Sequence, residues 1–373
     1  MTSRIAAFLG SALCTSLLVS APAAAQKDTI LRVDGKHVTK CKILKLELDK
    51  ISYSKGAKQQ EILVSRTNGF RFGSLPEAFI RGQSAENRND HLNAAKLFAE
   101  AEAATKNATI KSSAKFFAGR AYSIQAEREA AHANTAVAAL EGYLSDNPNG
   151  YYMPEAKVRL AKARLAGGDA AGAETMLTDM VATASSGGWP LRWIAHIQQT
   201  LGTAQYAQNK YSDARASYQA VAGAADSAMG QDNKHNAELT AIKTNSLVMQ
   251  GETYIGEKML NEALSYFQNL TNSNAKGVKA AAHAGQGQIL FLQGGSDTTK
   301  LRQAQLALAR ASIEPDTSDS TSAKALFYMA KVLTALGDKE KNALARAKTY
   351  YRSVASHYSN TPWATLARKE LDG

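Results

Sequence analysis

The chain has 373 residues, 21% of them charged, 45% hydrophobic and 7% aromatic, with a formal net charge of +11. That balance excludes a disordered chain, which would lack the apolar content to bury a core, and it fits one large or two to three ordinary domains. The charge is uneven: residues 26–73 hold eleven Lys or Arg against five acids.

Residues 1–25 read as an export signal. Arg4 supplies a positive start, "IAAFLGSALCTSLLVSA" is an uncharged apolar run, and "APAAAQ" places Ala23 and Ala25 where a signal peptidase reads small side chains. Leu13 before Cys14 is not the small residue that lipidation wants. The mature chain is expected to be exported and soluble: in the periplasm, peripherally on the outer membrane, or secreted. Cleavage leaves Cys41 as the single cysteine, so no intrachain disulfide can form. Such a thiol is either buried or paired with another chain, and its apolar strand position favours burial.

Residues 26–74 alternate in twos. "HVTKCKILKLELDKISYS" sets Cys41 and Ile43 on one face, then slips phase by one residue at Leu44, a signature of a bulge. "DGK" and "SKGAK" are turn signals, and "EILVS" and "GFRF" supply two more short strands. The segment is predicted to be a small basic all-β domain, similar to SH3-like or Sm-like barrels. It is too small to be robust alone, so it is expected to pack against the rest of the chain.

From residue 75 to 373 the period becomes helical, and one motif recurs seven times: an alanine, a bulky residue four later, and an apolar or small residue three beyond that. The alanines are Ala94, Ala136, Ala173, Ala214, Ala263, Ala304 and Ala347, and the bulky partners include Phe98, Tyr218, Phe267 and Tyr351. A small residue stands twelve positions before four of them: Gly82, Ala161, Gly202 and Gly251. Gly119 and Gly285 take that place in two further units. "LGTAQYAQNKYSDARASYQAV" (201–221) carries the pattern most fully.

These residues resemble the tetratricopeptide repeat (TPR), whose small positions let paired helices approach closely. The resemblance implies a mainly α solenoid of about seven hairpins. The marker alanines are 42, 37, 41, 49, 41 and 43 residues apart, longer than the usual repeat of about 34, which predicts longer helices and turns. "TPWATLARKELDG" is expected to cap the last hairpin through Trp363, Leu366 and Leu371. The C-terminal run "ARAKTYYRSVASHYSNTPWATLARKEL" is similar to repeats of exported bacterial envelope proteins, in the Tol-Pal system and in outer-membrane assembly. It implies a scaffold for protein partners in envelope assembly or maintenance.

No motif in the chain demands chemistry. "GQGQIL" at Gly285 follows a helical run rather than a strand, so it does not read as a dinucleotide fingerprint. The seven histidines include no pair at i, i+4 spacing, so no metal or other cofactor is expected, and the chain reads as a binder rather than an enzyme. Trp189 and Trp193 flank Pro190 at a helix entry and are expected to fill core between repeats. Outside the cytoplasm the basic N-terminal domain points away from nucleic acid and toward anionic wall polymer, lipid head groups or acidic protein. Lys42, Lys45, Arg66 and Arg71 are the candidate contacts, and binding to such a polymer is the alternative function.

Overall fold

The computed structural model describes residues 27–187, 189–231 and 235–372. The predicted export segment, residues 1–25, lies outside them.

Among the described residues five strands come first: β1 (Asp28–Arg32), β2 (Val38–Leu46), β3 (Lys50–Lys55), β4 (Lys58–Leu63) and β5 (Thr67–Arg71). They form one antiparallel sheet in the order β4-β3-β2-β1-β5, so β4 and β5 are its two edges. Gly35 turns the β1–β2 hairpin and Gly56 the β3–β4 hairpin, at φ of 73° and 63°, a conformation that costs a glycine nothing. The register shifts between Ile43 and Lys45, where the alternation slips. The sheet closes over Ile30, Val38, Cys41, Ile43, Ile51, Tyr53 and Ile62.

Cys41 is only 2% exposed, and its Sγ lies 3.3 Å from the Asp28 carbonyl oxygen. Burial pushes its thiol pKa up, with the nearby Asp28 carboxylate adding to the shift. Iodoacetamide is therefore expected to label Cys41 at a rate set by unfolding of the sheet. Rapid labelling of native protein, counted by mass spectrometry, would contradict this placement.

Fifteen α-helices follow among the described residues: α1 (Glu77–Asn87), α2 (His91–Ala104), α3 (Ala108–Arg128), α4 (Ala133–Asp146), α5 (Met153–Ala166), α6 (Ala170–Ser186), α7 (Leu191–Ala207), α8 (Tyr211–Gln231), α9 (Asn236–Gly256), α10 (Leu260–Leu270), α11 (Val278–Gly294), α12 (Thr298–Ile313), α13 (Asp319–Leu336), α14 (Ala343–His357) and α15 (Pro362–Asp372). Side-chain caps set several starts. Asp90, Asn107, Asp169, Asp297 and Ser318 each accept from a backbone N–H of the first turn. Consecutive helices pack pairwise, and the odd-numbered ones from α3 to α15 also touch one another. The result is seven hairpins and a terminal helix, with odd helices as the inner layer and even helices outside.

Small residues bring each pair close. A Cβ on Gly82 would stand 2.9 Å from the Phe98 ring, one on Gly119 2.9 Å from Leu140, and one on Gly202 2.7 Å from Tyr218. Ala94, Ala136, Ala173, Ala214, Ala263 and Ala304 are wholly buried, and Ala347 and Tyr351 nearly so. Two positions differ from the expectation. In α11 it is Gly287 that faces its own partner, Leu308, where a Cβ would approach to 2.4 Å; Gly285 instead meets Phe267 of the preceding hairpin at 2.7 Å. Two residues along a helix turn about 200°, to the opposite face. In α15, Leu366 remains 43% exposed while Ala364 and Ala367 take the buried face, with Trp363 and Leu371 packed beside them on the last hairpin.

The sheet docks on the solenoid through backbone. Glu47 bridges to Gly150, the Leu48 N–H donates to the Asn149 carbonyl at 2.9 Å, and the Tyr151 N–H donates to the Leu46 carbonyl at 3.3 Å. Phe70 meets the Tyr151 ring edge-on at 5.3 Å. The turn between α4 and α5 thus extends the end of β2.

Candidate functional site

Docking the sheet on that turn leaves a cleft of about 930 Å³ beside it. One wall comes from the end of β1 and the end of β4, with Val33, Leu63 and Val64; the other comes from Tyr151, Trp189 and Leu239. Val33 and Leu63 are 56% and 47% exposed, an uncommon concentration of open apolar surface at a concave junction. Pro190 precedes α7 and sets the angle at which Trp189 enters the core beside Leu177, Met180 and Ile197. Trp193, one turn on, is half-buried with its ring 5.2 Å from that of His196.

The cleft adjoins a smaller recess of about 130 Å³, and Arg192 and His235 line both. Here α5, α7 and α9 bring charges together. Glu238 Oε1 stands 2.9 Å from His196 Nε2, and its Oε2 stands 3.3 Å from His235 Nδ1. Arg192 Nη1 approaches the other nitrogen of His235. An imidazole placed so donates through Nδ1 to the carboxylate and accepts through Nε2 from the guanidinium. Across the recess, Arg159 pairs with Glu127 at 3.1 Å, and Lys162 reaches the same carboxylate only at 3.9 Å. Burial lowers the Lys162 pKa, against the pull of Glu127. Farther along the same face, Arg120 binds Glu86 at 2.6 Å and lies 3.8 Å from Glu155. The inner face from α1 to α9 is thus a rail of alternating charge.

The close contact with His196, outweighing desolvation, holds the Glu238 carboxyl at about 2, below its ordinary 4.5. A carboxyl whose pKa is depressed on folding stabilises above its unfolded pKa and loses that contribution as pH falls through the folded value. Wild type and Glu238→Gln should therefore differ in melting temperature at pH 6, and the difference should shrink between pH 4.5 and about 2. A difference constant across that window would deny the interaction.

The four basic candidates of the N-terminal domain are spread out. Lys42 is exposed on β2, and Lys45 forms an ion pair with Glu47 at 2.6 Å. Arg71 sits opposite Thr29, whereas the Arg66 carbonyl accepts from the Val33 N–H at the other end of β1. The recess residues Lys162, Arg192, His196 and Glu238 are not evident from sequence. The only signal is the spacing of Glu155, Arg159 and Lys162, which puts three charges on one face of α5. Among the described residues no group of three or more His, Cys, Asp or Glu side chains is placed to hold a metal ion.

No protein-family model and no curated protein sequence matches the chain. Solved structures do. A tetratricopeptide repeat protein from Parabacteroides merdae superposes with a TM-score of 0.51 at 11% identity, covering 78% of this chain and 98% of that one. RapI in its apo form gives 0.46 at 14% identity, covering 79% and 97%. NprR in complex with its cognate peptide NprX gives 0.47 at 12% identity, covering 78% and 80%. The first of these, with the hairpins described above, defines the class: a TPR-like α-solenoid, preceded here by a five-stranded antiparallel sheet.

Proposed function

We propose that this chain is an exported scaffold of the bacterial envelope, resident in the periplasm, that binds protein partners and performs no catalysis. The observation that carries the reading is the continuous inner layer of odd-numbered helices, because stacked repeats of this kind work through the extended surface they build. Its two halves differ. From α9 to α13 the inner face is filled by the chain itself, since Lys324 pairs with Glu252 two units away. From α1 to α9 the same inner face carries the partly exposed charged rail, which suits a polar partner surface. Export is supported by the apolar run behind Arg4 and by Ala23 and Ala25 before Gln26.

Two measurements test the reading. The periplasmic protein should begin at Gln26 by mass spectrometry; an intact Met1 overturns export. Crosslinking through a photoreactive residue at position 162 should capture a defined envelope protein, and adding Arg159→Glu to the same bait should abolish the capture. Repeated capture of nothing specific, with a folded bait, counts against a protein partner.

A second reading, binding of anionic wall polymer through the sheet, is favoured by one observation. Ion pairs with Asp34, Glu47 and Glu61 engage three of the sheet's cations, while Lys42, Arg66 and Arg71 make none among the described residues. Sedimentation with purified cell wall at rising salt separates the two readings, since polymer binding alone predicts release by salt.

A further inference from the structure

We infer that the cleft and its recess form one binding site for a single-chain amphiphile: an acyl chain ending in one carboxylate. This goes beyond the scaffold reading and does not depend on it. A cleft of about 930 Å³ lies within the range of about 300–1,000 Å³ typical of small-molecule sites, which favour domain junctions and apolar walls with few placed polar groups. That describes this junction. Leu63, Val64, Trp189 and Leu239 line it, and among the described residues nothing covers the exposed apolar surface of Val33 and Leu63.

The charge in the recess identifies the head group. Arg192 has no carboxylate within ion-pair distance among the described residues; its Nη1 meets His235, and its guanidinium carbon lies 5.1 Å from the Trp193 ring centroid. A guanidinium has five N–H donors, so others remain for a ligand. Lys162, on the opposite side, has its nearest carboxylate at 3.9 Å. An incoming carboxylate would thus find two cations short of close partners. Glu155 and Glu238 also line the recess, and they oppose a second negative charge. An apolar peptide ending in a carboxylate fits less well. The cleft's sheet wall offers Asp49, Ser65 and Thr67, and the wall opposite offers Tyr151, with Arg192 and His235 at the recess, which leaves the rest of that edge of an extended backbone desolvated without partners.

The test uses the full mature protein carrying Trp363→Phe, so that the remaining indoles, Trp189 and Trp193, report on the site. Dodecanoate, titrated below its micelle concentration, should change their emission saturably, and each methylene removed from the chain should weaken binding about fourfold. Arg192→Gln with Lys162→Gln should weaken dodecanoate at least about tenfold and leave dodecanol unchanged; Leu63→Asp should weaken both. Circular dichroism confirms that each variant is folded, and Arg192→Lys, which keeps the charge, should retain part of the binding. The inference is overturned by a response that does not saturate, by equal losses for dodecanoate and dodecanol in the charge variant, or by an apolar peptide acid that binds where dodecanoate does not.

Discussion

Gly251→Ala is expected to destabilise the centre of the solenoid by about 2–3 kcal/mol, the upper part of the range for overpacking a filled core. A Cβ at Gly251 would stand 2.3 Å from the Phe267 ring, and that ring has nowhere to retreat. On its other side it rests on Gly285, where a Cβ would already approach to 2.7 Å. Phe267 is wholly buried and thus clamped between α9 and α11 by two glycines. The same contact makes the prediction separable from a general loss of helix propensity, because alanine is the better helix former and would otherwise stabilise. Phe267→Ala alone should cost about 3–5 kcal/mol. The double variant should cost no more than Phe267→Ala, since the clash has lost one party. Urea unfolding measures the energies, and hydrogen exchange should place the lost protection in α9, α10 and α11, the neighbours through which a repeat array transmits damage. Additive losses would show that the ring is not the obstacle.

That clamp also marks where the sequence speaks and where it stops. The alternation of small and bulky residues is a local statement about which faces of two adjacent helices meet, so Gly82 with Phe98 and Gly202 with Tyr218 are legible from spacing alone. Gly285 and Gly287 are not so easily told apart. The turn before α12 is as short as those before α8 and α10, but α11 runs on further past its contact glycine and α12 starts further ahead of Ala304, so the twelve-residue offset no longer applies and only the actual packing shows which glycine faces Phe267 and which faces Leu308. The sheet is legible in the same sense, because Cys41 and Ile43 alternate toward one core. Its docking is not. The contact runs through backbone groups of Leu46, Leu48, Asn149 and Tyr151, and a backbone hydrogen bond leaves no trace in side-chain pattern. The cleft is a consequence of that docking. Val33, Leu63, Tyr151, Trp189 and Leu239 come from five separate segments, and no periodicity links them. Arg192 and Glu238 share the fate of most site residues on a solenoid: each is an ordinary charged position on its own helix, given a role by a neighbour some forty residues away.

Lys324→Met is expected to cost about 3–5 kcal/mol, the penalty for stripping one partner from a buried ion pair. Lys324 is 7% exposed, its Nζ sits on the Glu252 carboxylate, and the Phe267 and Trp363 ring centroids lie 5.9 Å from it. The methionine variant would leave Glu252 charged among Tyr206 and Tyr328, whose own ionisation is already pushed up by burial first and by that carboxylate second. Replacing both, as Lys324→Met with Glu252→Leu, should recover most of the loss, because the attraction of two desolvated charges barely offsets the cost of burying them. What the double variant should not recover is geometry. The pair joins α9 to α13 across the intervening α11, a contact between units that are not neighbours in a fold whose stability otherwise comes from neighbours. Small-angle scattering should therefore show a larger radius of gyration in the stable double variant than in wild type, as the C-terminal half uncurls. A double variant as compact as wild type would assign the curvature to the packing of α11 alone, and an unchanged urea midpoint in Lys324→Met would mean that water, not Glu252, solvates the ammonium.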